Sequence, residues 1–125
     1  MGTLEDELTS AAATGNTAEA ARLLRAGADV NEPNRLSYTA LQVMMMGSTP
    51  VAELLLAVGG DPNIADVRTG STPLHDAARS GFVETVRILV RFGASLHARD
   101  RANCRPVDVA RQHGHTEVVA FLESL

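Results

Sequence analysis

The side chains of this sequence that could do chemistry are four histidines, one cysteine and a set of carboxylates. A zinc site needs paired cysteines or histidines at close spacing, and a hydrolase needs a nucleophile beside a base. The histidines and the cysteine show neither arrangement, since they stand at His75, His97, Cys104, His113 and His115. His75 and Asp76 are adjacent, and neighbouring residues on a helix do not face each other, so they do not form a dyad. We therefore expect no enzyme, no metal ion and no cofactor.

Asp76 is the carboxylate whose role most needs deciding. It is predicted in the first turns of a helix, where the helix dipole favours a negative charge. Arg79 follows at i, i+3, a spacing that allows an ion pair. A purely structural role and a contact with a partner protein both fit this pattern, so the residues alone leave the two interpretations open.

The element that carries Asp76 is one copy of an internal repeat. Three copies place an apolar residue seven positions before a glycine: Leu8 and Gly15, Leu74 and Gly81, Val107 and Gly114. With Gly47 included, these glycines are spaced 32, 34 and 33 residues apart. Such a period is typical of a repeat protein, in which each unit buries its apolar face against its neighbours.

The third copy shows how the repeat is built. Thr72 is predicted to cap a helix, and Pro73 suits the first helical position because its missing N–H would be unpaired there anyway. Leu74, Ala77 and Ala78 fall at helical spacing and predict a buried stripe whose small alanines allow close packing. The following glycine predicts a sharp turn into a second helix.

The second copy is one residue short. Leu41 and Gly47 are only six positions apart, and Gln42, Val43 and three methionines fill the gap. We expect the segment 41–46 to form a turn or a single helical turn. Met44 and Met45 replace the small pair of the third copy. One interpretation makes them adaptable core filler, and the other makes this segment the edge of a groove for a partner.

The repeat resembles the ankyrin consensus, including its Thr-Pro-Leu-His signature at residues 72–75. This resemblance implies an all-α ankyrin-repeat solenoid of four helix-turn-helix repeats with short extended loops, in which the first helix of repeat two is shortened to a turn. We expect a single domain over residues 1–125, with repeats at approximately 4–34, 35–67, 68–100 and 101–125.

The broken second copy carries a more specific resemblance. Residues 41–48, together with 51–56, 61–66, 73–86 and 105–115, closely resemble the four-ankyrin-repeat inhibitors of the D-cyclin-dependent kinases. The resemblance covers essentially the whole chain. It implies binding to the catalytic subunit of cyclin-dependent kinases four and six beside the ATP cleft, away from the cyclin, with tilting of the kinase lobes and restraint of the G1 phase. The alternative is a generic ankyrin adaptor with another client.

The resemblance also implies which residues contact the kinase. Asp76 matches an aspartate that meets a kinase arginine, and Asp66 matches a second acidic contact at a loop tip. The other residues expected at or near this surface are Arg79, Gln42, Glu84, Met44 and Met45. The sequence departs from the family pattern in repeat one, where Asn16 and Ala18 replace charged residues, and at Ala102, where an aromatic residue is usual.

Composition limits the partners and the location. A net charge of −4 at pH 7 and 3% aromatic residues argue against a nucleic-acid surface. No apolar run approaches the length of about 20 residues that crosses a bilayer, and the first residues lack a signal-peptide pattern. We expect a monomer in the cytoplasm and the nucleus that binds a protein kinase, with no nucleic acid and no membrane. Cys104 is expected to be a small apolar filler.

Overall fold

The computed structural model describes residues 2–125. The chain divides into two compact units, an N-terminal unit of Met1–Asp61 and a C-terminal unit of Pro62–Leu125. The expected single domain with four repeats stays a prediction.

Across residues 2–125 the structure contains eight α-helices and no β-strand, in agreement with the predicted all-α class. The helices of the N-terminal unit are α1 (Leu4–Ala13), α2 (Thr17–Arg25), α3 (Ala40–Val43) and α4 (Thr49–Ala57). Those of the C-terminal unit are α5 (Pro73–Ser80), α6 (Val83–Arg91), α7 (Pro106–Gln112) and α8 (Thr116–Glu123). Each pair forms a helical hairpin, and a loop without regular secondary structure follows each of the first three pairs.

The helices begin where the sequence places its capping residues. Thr3 accepts a hydrogen bond from the backbone N–H of Asp6, and the Asp6 carboxylate accepts one from Thr3, each at 3.1 Å. Thr72 caps α5, and Pro73 occupies its first position, as predicted. Asn16 accepts a bond from the Glu19 N–H at 3.1 Å. The departure from the family pattern at Asn16 therefore supplies the cap of α2.

Three helical hairpins turn on a glycine in the left-handed region. The φ angles are 73° at Gly15, 79° at Gly81 and 73° at Gly114. Gly47 is not among the residues with positive φ. Because α3 already ends at Val43, repeat two has no helix end at Gly47 for a left-handed residue to close.

The core of each unit is a row of leucines packed around alanines. Leu8, Leu23, Leu41 and Leu55 are fully buried in the N-terminal unit, and Leu74 and Leu89 in the C-terminal unit. Ala77 and Ala78 are also fully buried. Burying one leucine side chain contributes about 1.5–3 kcal/mol. These rows therefore supply much of the favourable free energy of folding.

Two asparagines join successive loops within their own units. Asn31 donates to the Gly59 carbonyl at 3.0 Å and accepts from the Asp61 N–H at 2.7 Å. Asn63 donates to the Gly93 carbonyl at 3.1 Å and accepts from the Ser95 N–H at 2.7 Å. Each asparagine side chain therefore joins its own loop to the next one through two hydrogen bonds to the backbone. We call these two contacts the asparagine clamps.

Candidate protein-binding site

The shortened helix α3, with the residues that follow it, carries the candidate contact residues of the N-terminal unit. It has four residues, whereas α1 has ten and α5 has eight, which confirms the predicted single turn. Gln42 accepts a hydrogen bond from the Thr39 N–H at 2.6 Å. The Thr39 hydroxyl is buried and has no partner, and the Gln42 N–H donates instead to the Thr39 carbonyl at 3.1 Å. Gln42 thus supplies only half of a capping box.

The chain beyond α3 is held by the end of α1. The Met45 N–H donates to the Ala12 carbonyl at 2.8 Å. That carbonyl belongs to the last turn of α1, where carbonyls lack partners inside the helix. The missing residue in repeat two is therefore accompanied by a hydrogen bond from Met45, beyond the end of α3, to the last turn of α1, which holds the non-helical segment in place.

The three methionines have different environments. Met44 has an extended backbone, with φ −55° and ψ 152°, so the side chains of Met44 and Met45 point to opposite sides. Met44 is 3% exposed and Met45 is 47% exposed. The core-filler interpretation therefore applies to Met44, and the predicted partner contact of Met44 conflicts with its burial in the free protein. Met45 is accessible, and its contact with a partner stays a prediction.

The candidate contact residues of the C-terminal unit include the ion pair on α5. Arg79 Nη1 lies 2.8 Å from Asp76 Oδ1, as the i, i+3 spacing predicted. The two side chains are 39% and 32% exposed, respectively. Burial raises the pKa of Asp76 above its ordinary value, because the loss of solvation outweighs the opposing hydrogen bond and charge of Arg79. Asp76 is therefore a poorly solvated carboxylate at the protein surface.

Asp66 lies in the loop that precedes α5. Its N–H donates to the Ser71 carbonyl at 2.8 Å, and its carboxylate accepts from the Arg68 N–H at 2.7 Å. It therefore acts as a turn residue, and its contact with a partner stays a prediction. Its negative charge also contributes, as the smallest of the causes, to the raised pKa of Asp76.

Ser71 links Asp66 to Arg79, which is the ion-pair partner of Asp76. Ser71 was not identified from the sequence. Its carbonyl accepts from Asp66, and its hydroxyl accepts from Arg79 Nη2 at 3.3 Å. The structure thus brings Asp66, Asp76 and Arg79 together around a buried serine. A serine just before a helix cap carries no distinctive signal, so no sequence pattern singles it out.

The position of Glu84 gives weaker support for a contact with a partner. It lies in the first turn of α6, where its carboxylate is 72% exposed and 3.6 Å from Arg87 Nε. Such exposed pairs contribute little to stability. The predicted partner contact of Glu84 stays a prediction.

Two histidines hold α5, and with it Asp76, in position. His75 is fully buried, and its Nδ1 lies 3.1 Å from the Thr72 backbone nitrogen, which donates to it. His75 Nε2 donates to the Cys104 carbonyl at 2.8 Å, and His115 Nε2 donates to the Arg79 carbonyl at 2.9 Å. Both histidines therefore have a structural role.

Within residues 2–125 no group of three or more histidine, cysteine, aspartate or glutamate side chains is placed to hold a metal ion. None of the helices in this part of the chain has the length and apolar character needed to cross a membrane.

Comparison with known proteins identifies the class of protein to which the chain belongs. The family model of ankyrin repeats, in three copies, matches residues 44–124. The chain is 49% identical over 123 residues to Cyclin-dependent kinase 4 inhibitor B from Homo sapiens, covering 98% of this chain and 89% of that protein. It is 49% identical over 119 residues to Cyclin-dependent kinase inhibitor 2A from Homo sapiens, covering 95% and 76%. It is 32% identical to Rabankyrin-5 from Mus musculus, of which it covers only 9%.

The predicted ankyrin-repeat fold is confirmed. Within that class the chain belongs to the cyclin-dependent kinase inhibitor family represented by these two human proteins, as its second and third repeats indicated.

Proposed function

We propose that this chain inhibits cyclin-dependent kinases four and six by binding their catalytic subunit, and so opposes activation by D-type cyclins and restrains G1 progression. The observation that carries the proposal is the extent of the similarity to Cyclin-dependent kinase 4 inhibitor B, which includes nearly the whole of both proteins. The activity is binding without covalent chemistry.

The surface around Asp76 suits a basic partner. A carboxylate that is already partly desolvated loses less solvation on docking than a fully exposed one, so more of its attraction to an arginine is retained. Arg79 balances this charge in the free protein. A kinase arginine would share Asp76 with Arg79 or replace it, while Asp66 adds a second negative charge nearby.

The N-terminal unit would contribute Gln42 and Met45 to the same partner. Gln42 is half-buried, and its amide NH₂ group is a hydrogen-bond donor that a partner could use. Met45 presents an adaptable apolar side chain. We further propose that the inhibitor is a monomer that forms a one-to-one complex and acts in both cytoplasm and nucleus, with neither nucleic acid nor membrane as a partner.

The test is to mix the purified protein with the purified kinase catalytic subunit and to measure complex formation by calorimetry and size-exclusion chromatography. We expect a one-to-one complex at micromolar concentration or below. Failure to bind would reject kinase inhibition and favour the alternative of a generic ankyrin adaptor with another client.

Asp76→Lys tests the site. Losing a buried charge pair at an interface typically costs about 2–5 kcal/mol, so we expect the affinity to fall by at least about tenfold. Glu117→Lys is the matched control, because Glu117 is an exposed carboxylate in the first turn of α8. Equal affinities of the two variants would remove Asp76 from the contact surface, and circular dichroism would check that both are folded.

A further inference from the structure

The three consecutive methionines of repeat two are identical in chemistry and differ in exposure. Met44 is buried, Met46 is half-buried and Met45 is exposed. The difference follows from the end of α3, since the extended backbone at Met44 sends successive side chains to opposite sides. Of the three methionine side chains, only that of Met45 is classed as exposed.

The position of Met45 is fixed. Its backbone N–H is bound to the Ala12 carbonyl, and its side chain lies against the turn at Gly15. A β-carbon placed on Gly15 would lie 3.0 Å from the Met45 sulfur, so the turn has room for this sulfur only because residue 15 has no side chain. The Met45 side chain is therefore nearly half exposed while its sulfur lies against a turn.

From this geometry we propose that Met45 is a reversible oxidation site that controls binding to the kinase. The oxidant is hydrogen peroxide. The Met45 sulfur attacks one peroxide oxygen, the O–O bond breaks, and the departing hydroxide takes the proton of the new S–OH group to form water. Sulfur is oxidised by two electrons and peroxide is reduced. The product is a sulfoxide, which methionine sulfoxide reductases return to the thioether.

The consequence for binding rests on the proposed function. A sulfoxide is polar and chiral where the thioether is apolar and adaptable, so burying it against a partner leaves a strong hydrogen-bond acceptor to be desolvated. Oxidation at Met45 therefore weakens the complex. Oxidation at Met44 requires the core of the N-terminal unit to open first, which makes it slow.

The first measurement needs no kinase. The Cys104→Ser variant is used, because Cys104 is only half-buried, in contrast to the expected filler role, and its thiol competes for peroxide. Peptide mass spectrometry with fragmentation follows each sulfoxide through a peroxide time course. We expect Met45 to react at least about tenfold faster than Met44, with Met46 between them. Equal rates, or faster reaction at Met44, would overturn the assignment of the site.

The second measurement compares kinase affinity before and after peroxide. Cys104→Ser and Cys104→Ser/Met44→Leu should each lose about tenfold in affinity and recover after reductase treatment, whereas the affinity of Cys104→Ser/Met45→Leu should not change with oxidation. Equal losses in all three proteins would overturn control through Met45. If the untreated protein does not bind the kinase, the proposed function and its redox control both fail, while the order of oxidation still decides the site.

Discussion

The negatively charged form of Asp76 destabilises the free protein. Its pKa is raised because burial disfavours the charged form more than Arg79 favours it. A group with a raised pKa binds its proton more tightly in the folded state, so its contribution is most favourable at low pH and is lost as pH rises from the ordinary value of 3.8 through the folded value. Charged groups with such a cost are common at functional sites.

Asp108 behaves in the opposite way. It lies in the first turn of α7, and its hydrogen bonds from the Arg105 side chain and backbone lower its pKa. Its stabilising contribution is present above the ordinary value of 3.8 and is lost as pH falls through the lowered folded value.

These two aspartates predict opposite responses to removal of charge. At neutral pH, Asp76→Asn should leave the free energy of unfolding unchanged or raise it by less than about 1 kcal/mol, while it weakens kinase binding. Asp108→Asn should lower it by about 1 kcal/mol, since it weakens the cap of α7. Urea unfolding of both variants at several pH values measures this. A strongly destabilised Asp76→Asn protein would show that Asp76 serves the fold.

At the scale of the element, the turns between paired helices differ in what surrounds their glycines. Gly15, Gly81 and Gly114 share the same backbone conformation. A β-carbon at Gly114 would meet nothing within 4 Å, and one at Gly15 would lie 3.0 Å from the Met45 sulfur. One at Gly81 would overlap Nδ1 of the His115 ring.

Alanine substitutions at the three glycines separate the cost of a left-handed backbone conformation from the cost of a steric clash. Gly114→Ala should destabilise by about 1–2 kcal/mol, the cost of a left-handed residue with a side chain. Gly15→Ala should cost slightly more, because Met45 must shift. Gly81→Ala should cost the most, since His115 must leave the Arg79 carbonyl and a hydrogen bond is lost. Denaturant unfolding measures the order, and equal losses at all three positions would show that the neighbours do not matter.

At the scale of the whole molecule, stability in repeat proteins comes from contacts between neighbouring repeats. The asparagine clamps are such contacts, one in each unit. Because each clamp protects one named backbone amide, its loss should remain local rather than spread along the chain.

Hydrogen exchange tests this locality. Asn31→Ala should speed exchange at the Asp61 amide and leave Ser95 unchanged, and Asn63→Ala should do the reverse. Each variant is the control for the other. We expect each to lose about 1 kcal/mol of stability. Faster exchange at both amides in either variant would mean that the two units open together.

The order of helices was predictable because it depends on local signals. Thr72 and Pro73 mark the start of α5, and the short spacing between Leu41 and Gly47 predicted the loss of helix at α3. The opposite exposures of Met44 and Met45 were not predictable, because they follow from a hydrogen bond to Ala12. The raised pKa of Asp76 likewise depends on burial of α5, which no local pattern reports.

The contact between Gly81 and His115 has a consequence for interpreting inherited variants. Every missense change of a glycine codon introduces a side chain, so any such variant at position 81 displaces His115. A screen that scores only inhibition of cell growth would mark position 81 as essential and, because Arg79 and Asp76 are close in sequence, would assign it to the kinase contact. Measuring protein abundance beside activity would separate the two, since Gly81 variants should lose both and Asp76 variants only activity.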